Sequence, residues 1–314
     1  MSAAIGIDLG GTKLLGVVLD GEGKVVAEHR VPTPRGGPAI LDALAGVARF
    51  LQAEVGEALP VGVGAPGLID RDGRIRFAPN LPGVRNLEVR AGLSAALGGR
   101  PVVVDNDATC AGSGEHAHGA ARGATDAIVV TLGTGIGGGL VVSGEVVRGA
   151  NGFAGEIGHM VVDPHGPLCG CGRSGCWERY ASGTGLARLG REAAHAGRGA
   201  RMIELAGGDA EAVRGEHVTT AAAEGDAEAV EVLDRFAWWL AVGLANLANA
   251  FDPEVIVVGG GLVVTADLLL GAARRHFSAM VEAPDLRPPV RLEAALLGER
   301  AGAIGAAALA RMLR

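Results

Sequence analysis

The chain has 314 residues, 48% of them hydrophobic and 20% charged, with a formal net charge of −7. This is the composition of a globular protein long enough for two lobes, because one hydrophobic core usually stops growing at roughly 250–300 residues. No basic patch is visible to neutralise phosphates, no run of eighteen apolar residues occurs and no basic-then-apolar leader opens the chain, so nucleic-acid partners, membrane spanning and secretion are disfavoured and a cytoplasmic location is expected.

Residues 5–9, 14–19 and 25–31 read as three strands joined by glycine-containing turns. A helix is predicted over 38–59, where Leu41, Leu44, Ala48, Leu51 and Val55 recur at helical spacing, and a strand over 60–64 that ends in the turn Ala65-Pro66-Gly67. An amphipathic stretch at 87–97 precedes a strand at 101–104, which delivers Asp105, Asn106 and Asp107 at its carboxyl end, where ligands of open α/β sheets gather. A helix is predicted next, over 107–118.

Near 112–123 the pattern restarts. Residues 128–145 repeat 5–22 with an offset of 123, and Ile5/Ile128, Leu9/Leu132, Gly10/Gly133, Gly16/Gly139, Val18/Val141, Gly21/Gly144 and Glu22/Glu145 are identical, so each lobe is expected to open with the same strand-turn-strand unit; chance likeness of two Gly/Val-rich hairpins is the alternative. The longest helix is predicted over 226–250, with Val230, Leu233, Ala237, Leu240, Leu244 and Leu247 as its buried stripe. A strand at 254–258 then ends in Gly259-Gly260-Gly261, and an Ala-rich helix over 301–314 closes the chain.

The chemistry concentrates in few places. The turns at Asp8, Gly10, Gly11, Thr12 and Lys13 and at Gly133, Thr134, Gly135, Gly137 and Gly138 offer closely spaced backbone N–H groups, as a phosphate cradle requires. The second turn matches G-x-G-x-x-G, but 140–147 reads as strand, turn and strand where a dinucleotide fold needs a helix. Two such hairpins can enclose a nucleoside triphosphate, with Asp8 orienting Mg²⁺ and Thr12 or Lys13 reaching the terminal phosphate; tight structural turns are the alternative. Asp107, at the start of a helix, is either a cap or a functional carboxylate beside Asn106; Glu156, His159 and Glu178 add further groups suited to a polyhydroxylated ligand. Cys169, Cys171 and Cys176 with His159 supply one imidazole and three thiolates for a closed tetrahedral Zn²⁺ site, against the alternative of three reduced cysteines in a loop. Cys110 reads as a small core residue, Trp238 and Trp239 cannot share one helix face, and His116, His118, His165 and His195 read as surface residues.

Together, 8–13, Gly-Ala-Pro-Gly at 64–67, Asn106-Asp107-Ala108, the turn 132–139, Gly-Glu-x-Gly-His at 155–159 and the cysteine run 169–178 resemble the ROK sugar kinases along essentially the whole chain. The resemblance implies an α/β, two-lobed ribonuclease-H-like ATPase fold of the actin and hexokinase type, with the ligand cleft between a smaller lobe (1–115 plus the C-terminal helix 301–314) and a larger one (116–300) carrying the zinc loop. It implies Asp107 as catalytic base, Asn80, Asn106, Glu156, His159 and Glu178 as further sugar contacts, Gly259, Gly260 and Gly261 beside the adenosine, and a homodimer or homotetramer. The implied reaction is phosphorylation of glucose by ATP. N-acetylmannosamine, fructose, mannose or allose are alternative substrates and polyphosphate an alternative donor. A sugar-responsive regulator, which would carry a DNA-binding domain ahead of Asp8, or an actin-like ATPase without a sugar pocket, are the readings from other classes.

Overall fold

The structure is a computed structural model describing residues 2–262 and 266–313. Its elements in chain order begin with β1 (Ala4–Leu9), β2 (Lys13–Leu19), β3 (Val25–Pro32), α1 (Gly37–Val55), β4 (Val61–Ala65), β5 (Leu68–Ile69), β6 (Arg74–Phe77), β7 (Arg85–Glu88), α2 (Val89–Ala96), β8 (Val102–Asn106) and α3 (Asp107–His118). Next come β9 (Ala127–Leu132), β10 (Ile136–Val142), β11 (Glu145–Val146), α4 (Glu178–Ala181), α5 (Gly183–His195), α6 (Ala200–Leu205), α7 (Gly215–Ala223) and α8 (Ala227–Phe251). The last are β12 (Val255–Gly259), α9 (Ala266–Met280), β13 (Arg291–Ala294) and α10 (Ala301–Ala310).

Two five-stranded sheets share one plan. The first is ordered β3-β2-β1-β4-β8 and the second β11-β10-β9-β12-β13. In the first, β1 pairs antiparallel with β2 (Asp8 opposite Leu15) and parallel with β4, and β4 pairs parallel with β8. β9 begins and ends 123 residues after β1, and β10 does so after β2, residue for residue along the repeat. A duplicated strand plan carries more weight than shared glycines, because short hairpins alike by chance do not impose the same order on the strands after them.

The chain forms two compact units: Met1–Val129 with Gly138–Gly155 and Leu296–Arg314, and Val130–Gly137 with Glu156–Ala295. The core of the first packs Ile5, Ile7, Leu14, Val61 and Val63 from one face of its sheet against Leu44 and Leu51 of α1 and Leu93 of α2. Its other face is covered by α10, whose Ala303, Ile304, Ala307 and Ala310 meet Leu15, Val17 and Leu19. Small residues allow backbones to approach closely there: a Cβ on Gly6 would stand 1.9 Å from the Ala303 carbonyl oxygen, and one on Gly305 1.6 Å from that of Cys110 in α3. Glu115, fully buried near the end of α3, accepts the backbone N–H groups of Ala120, Leu296 and Leu297 at 2.8, 3.2 and 2.8 Å, fixing the approach to α10. In the second unit α8 buries Leu233, Ala237, Leu240, Leu244 and Leu247.

Several boundaries differ from the sequence reading. α1 stops at Val55 because Gly56 turns left-handed at φ 70°. Residues 85–88 are strand, pairing with β6 in a three-stranded sheet, and α2 starts only at Val89. α10 ends at Ala310, its cap at Arg311. Val230 is 45% exposed, and the stripe runs through Ala229 and Val232 instead. His116 and His118 are half-buried; His116 Nε2 lies 2.8 Å from the Ala124 carbonyl oxygen. Cys110 is fully buried as expected, while His165 and His195 are exposed. Trp239 stacks on Tyr180 at 3.9 Å between ring centroids, and Trp238 is left 40% exposed.

Candidate active site and metal centre

In the first unit the β1–β2 turn is short and open. Gly10 N–H donates to the Lys13 carbonyl at 2.9 Å, the Thr33 hydroxyl donates to the Gly10 carbonyl at 2.7 Å, and Gly11 and Thr12 are exposed. Gly11 has no side chain where the Asn80 backbone passes; a Cβ would lie 3.1 Å from its carbonyl oxygen. Asn80 itself is exposed. Lys13 is the first residue of β2, and its ammonium meets Glu299 at 2.7 Å, an exposed pair shared with Arg30 at 2.6 Å. These cations hold the Glu299 carboxyl down at about 2. Sequence reasoning misses Glu299, because a carboxylate so distant along the chain leaves no local signal.

At the end of β8, Asn106 and not Asp107 is the helix cap. Its Oδ1 accepts the N–H groups of Ala108 and Thr109 at 2.9 and 3.1 Å, and its Nδ2 donates to the Gly67 carbonyl at 3.1 Å. Asp107 is thereby left as the first helical residue, half-buried, with Oδ1 accepting its neighbour Ala108 N–H at 2.9 Å. Burial pushes the Asp107 carboxyl up, opposed by hydrogen bonds from Ala108, its own amide and Asn106. Asp105, on the same strand, is buried and ion-paired to Arg148 at 2.5 Å.

Asp8 stands across from α10, where a Cβ on Gly302 would lie 3.0 Å from the Asp8 carboxyl carbon. Burial first, then the Asp107 charge, raise the Asp8 carboxyl to about 7, with Lys13 pulling it back. A folded-state value above the unfolded one means that Asp8 contributes stability below pH ~4 that is lost as pH rises through about 7. Asp8→Asn is therefore expected to flatten the fall in stability between pH 5 and 8 and, at pH 8 without divalent cations, to be more stable than the parent by up to ~4 kcal/mol. Urea unfolding of both proteins at the two pH values checks this; parallel stability profiles would remove the buried charge from the account.

In the second unit the turn is Gly133-Thr134-Gly135; Gly137 and Gly138 already belong to β10 and serve the strand, not the turn. The turn is pinned by the start of α5, Gly183 N–H donating to the Gly133 carbonyl at 2.8 Å and the Thr184 hydroxyl to that of Thr134 at 2.8 Å. Gly133, Thr134, Thr184, Arg191, Thr219 and Gly261 line one cavity of about 980 Å³. Gly260, at φ 95°, allows the end of β12 to cross Leu132, whose carbonyl oxygen would be 2.3 Å from a Cβ. Gly259 is buried at the end of β12, and a Cβ there would be 2.9 Å from that of Ala295. Thr184, Arg191 and Thr219 escape sequence reading because three ordinary polar helix positions have no motif.

The same unit holds His159, Cys169, Cys171 and Cys176 with all four ligand atoms within 4.8 Å of one another. Cys169 Sγ is 3.7 Å from His159 Nδ1 and Cys171 Sγ 3.5 Å from Cys176 Sγ. A tetrahedron with metal–sulfur bonds of about 2.3 Å has edges of roughly 3.5–3.8 Å, so the donor set fits zinc. Backbone bonds fold the loop to this shape: Cys169 N–H to the Arg173 carbonyl at 2.7 Å, and Trp177 N–H to that of Met160 at 2.8 Å. The Tyr180 hydroxyl donates to Asp163 Oδ2 at 2.7 Å and braces the loop from behind. The other ring nitrogen of His159 faces Glu156 at 3.7 Å, and Glu178 Oε1 lies 3.7 Å from Nδ1 and 2.9 Å from Cys169 Sγ. Gly135 closes this group: a Cβ there would be 2.6 Å from the second Glu178 oxygen. Glu156, His159, Glu178 and the glycine turn thus converge within one unit.

A duplicated α/β fold whose paired glycine turns open on carboxylates is that of the ribonuclease-H-like, actin and hexokinase-type ATPases. The ROK family pattern matches residues 4–312, and the chain belongs to that family. It is 41% identical to the glucokinase of Streptomyces coelicolor over 99% of this chain and 98% of that protein. Among solved structures, the ROK family glucokinase of Streptomyces griseus, in complex with glucose and AMPPNP, is 39% identical with a TM-score of 0.86 and 99% of both chains covered. The ROK hexokinase of Thermus thermophilus is 38% identical with a TM-score of 0.81, covering 99% of this chain and 98% of that one.

Proposed function

We propose that this protein is a glucokinase, transferring the γ-phosphoryl group of ATP to the 6-hydroxyl of glucose. The observation that carries the mechanism is Asp107: a carboxylate on the first turn of α3, left free of the capping role by Asn106, whose affinity for a proton is raised by burial. The relatives at 41% and 39% identity supply the substrate pair, one of them bearing glucose and an ATP analogue.

Phosphoryl transfer passes through a loose transition state, so the protein contributes chiefly position and charge neutralisation. Asp107 accepts the hydroxyl proton late in the transfer. Asn80, Glu156, His159 and Glu178 are assigned to sugar hydroxyls; Asn106, whose oxygen is committed to the helix, can offer only an N–H. The cavity at Gly133, Thr134 and Gly261 suits the adenosine end of ATP, with Gly259 and Gly260 shaping its wall. The N–H groups of Gly10, Gly11 and Thr12 suit the phosphates, and Lys13 would have to leave Glu299 to reach them. Asp8 would orient Mg²⁺, and a divalent cation there offsets the repulsion from Asp107. A panel of glucose, mannose, fructose, allose and N-acetylmannosamine in an ADP-release assay tests the reading. Glucose is expected to give the highest kcat/KM, and the absence of glucose-dependent ADP release would overturn it.

His159, Cys169, Cys171 and Cys176 would hold a structural zinc, which fixes the His159 ring and the loop carrying Glu178. Protein purified without added metal is expected to contain about one zinc per chain. Cys171→Ser should lose that metal and render the loop at 159–176 susceptible to proteolysis; metal-free protein with an intact loop would end the assignment. Among the described residues no helix is long and apolar enough to cross a membrane.

A further inference from the structure

A second cavity, of about 700 Å³, lies in the first unit where the C-terminal ends of α3 and α10 come together. His118 and Asp107 occupy opposite ends of α3, about 16 Å apart along a helix that rises 1.5 Å per residue, so this cavity is separate from the proposed catalytic carboxylate. Its walls include the apolar Leu309 and Val146, and its titratable lining sets Arg122, Arg148, Arg311, His116 and His118 against Glu22 and Glu145. The volume falls within the range of small-molecule sites.

Arg311 is the unusual member. Its Nε and Nη2 are buried and, among the described residues, find no hydrogen-bond partner. Buried donors are almost always satisfied, and a guanidinium left without acceptors is costly. The carboxylates around it do not meet this need. Asp20 is near, but its Oδ1 accepts the backbone N–H groups of Glu22 and Lys24, both at 2.9 Å. Asp105 is paired with Arg148. Glu22 and Glu145 line the cavity as exposed residues. Helix C-termini carry roughly half a negative charge each, which explains a cation at this place and leaves the two N–H groups without acceptors. Burial holds the Arg311 guanidinium below its ordinary value against the opposing charge of Asp20, and burial, followed by the charges of Arg311 and Arg122, lowers His118.

We propose that this cavity binds a phosphate monoester with a small apolar body: the phosphate taken by the Arg311 fork, with Arg122 and His118 beside it, and the body lying on Leu309 and Val146. Phosphate matches this set because it presents several acceptor oxygens to converging planar donors. The Arg122 side is open, so the ligand enters without disturbing the α3–α10 contact.

The test is a titration of the full chain with phenyl phosphate, read on the His118 ring proton by NMR and assigned with His118→Asn. A saturable shift is expected in the parent. Arg311→Gln should raise the Kd at least tenfold, and Arg122→Gln, on the exposed rim and so safe for folding, should raise it several-fold. Inorganic phosphate should bind more weakly for lack of the body, and phenol and benzoate should not compete. No saturable shift, a shift unchanged in both variants, or benzoate binding as tightly as phenyl phosphate would overturn the proposal. Because the readout is His118 and not turnover, the outcome is independent of the reaction assigned above.

Discussion

Asp107→Asn is expected to lower kcat by between ~10² and 10⁴, the range in which a positioned proton acceptor contributes, while glucose binding changes little. The substitution keeps the shape and the acceptor oxygen that meets the Ala108 N–H, and α3 retains its Asn106 cap, so the helix start should survive. What disappears is the basic oxygen and one of the two mutually repelling charges. Asp8 should then ionise more easily, because the Asp107 charge is the second largest cause of its rise. Turnover by ADP release and glucose binding by calorimetry separate the two effects. A variant keeping more than about a tenth of the parent kcat, a barrier change below ~1.4 kcal/mol, would remove Asp107 from the role of base.

Gly305→Ala is expected to be strongly damaging, costing about 3 kcal/mol of folding stability or preventing folding altogether. The added methyl would sit 1.6 Å from the Cys110 carbonyl oxygen and 2.7 Å from the Gly114 nitrogen, both backbone atoms of a helix that cannot swing aside as a side chain can. Relief requires α10 to lift from α3, and α10 also covers β1 through Gly6 and β4 through Gly62, where its carbonyl oxygens would stand 1.9 Å from an added methyl. The expected result is a large fall in the urea midpoint together with loss of activity, since Asp8 and Asp107 sit on the elements that would part. Gly46→Ala, in α1 with nothing within 4 Å of the new methyl, is the control and should be neutral or stabilising by up to ~1 kcal/mol. A Gly305→Ala protein as stable as the Gly46 variant would show that the α3–α10 contact is looser than described.

The parts of this protein that can be read from its sequence are those whose physics is short in range. Hairpins announce themselves through glycine turns between β-branched runs, and the 123-residue repeat of that pattern survives as one strand plan used twice. The start of α3 is legible because a strand, a capping amide and a carboxylate are consecutive; which of Asn106 and Asp107 caps is not, since that depends on the dihedrals of one residue. The metal donors His159, Cys169, Cys171 and Cys176 lie within one loop, and residue type and spacing alone suggest the metal they fit. Shortened ends such as Val55 and Ala310, and the small sheet of β5, β6 and β7, escape such reading because weak local preference leaves these choices to packing.

By itself the sequence determined the turn chemistry, the duplicated hairpins and the donor loop, because each depends on atoms a few bonds or a few residues apart. Only the tertiary structure decided that Lys13 faces Glu299 across 286 positions, that Glu115 anchors Leu296 and Leu297, and that Arg311 ends in a cavity beside His118. Such contacts arise from how whole helices and sheets fill space. Their energies come from burial and from pairing across it, and neither quantity exists for a residue until the chain has brought its distant neighbours to it.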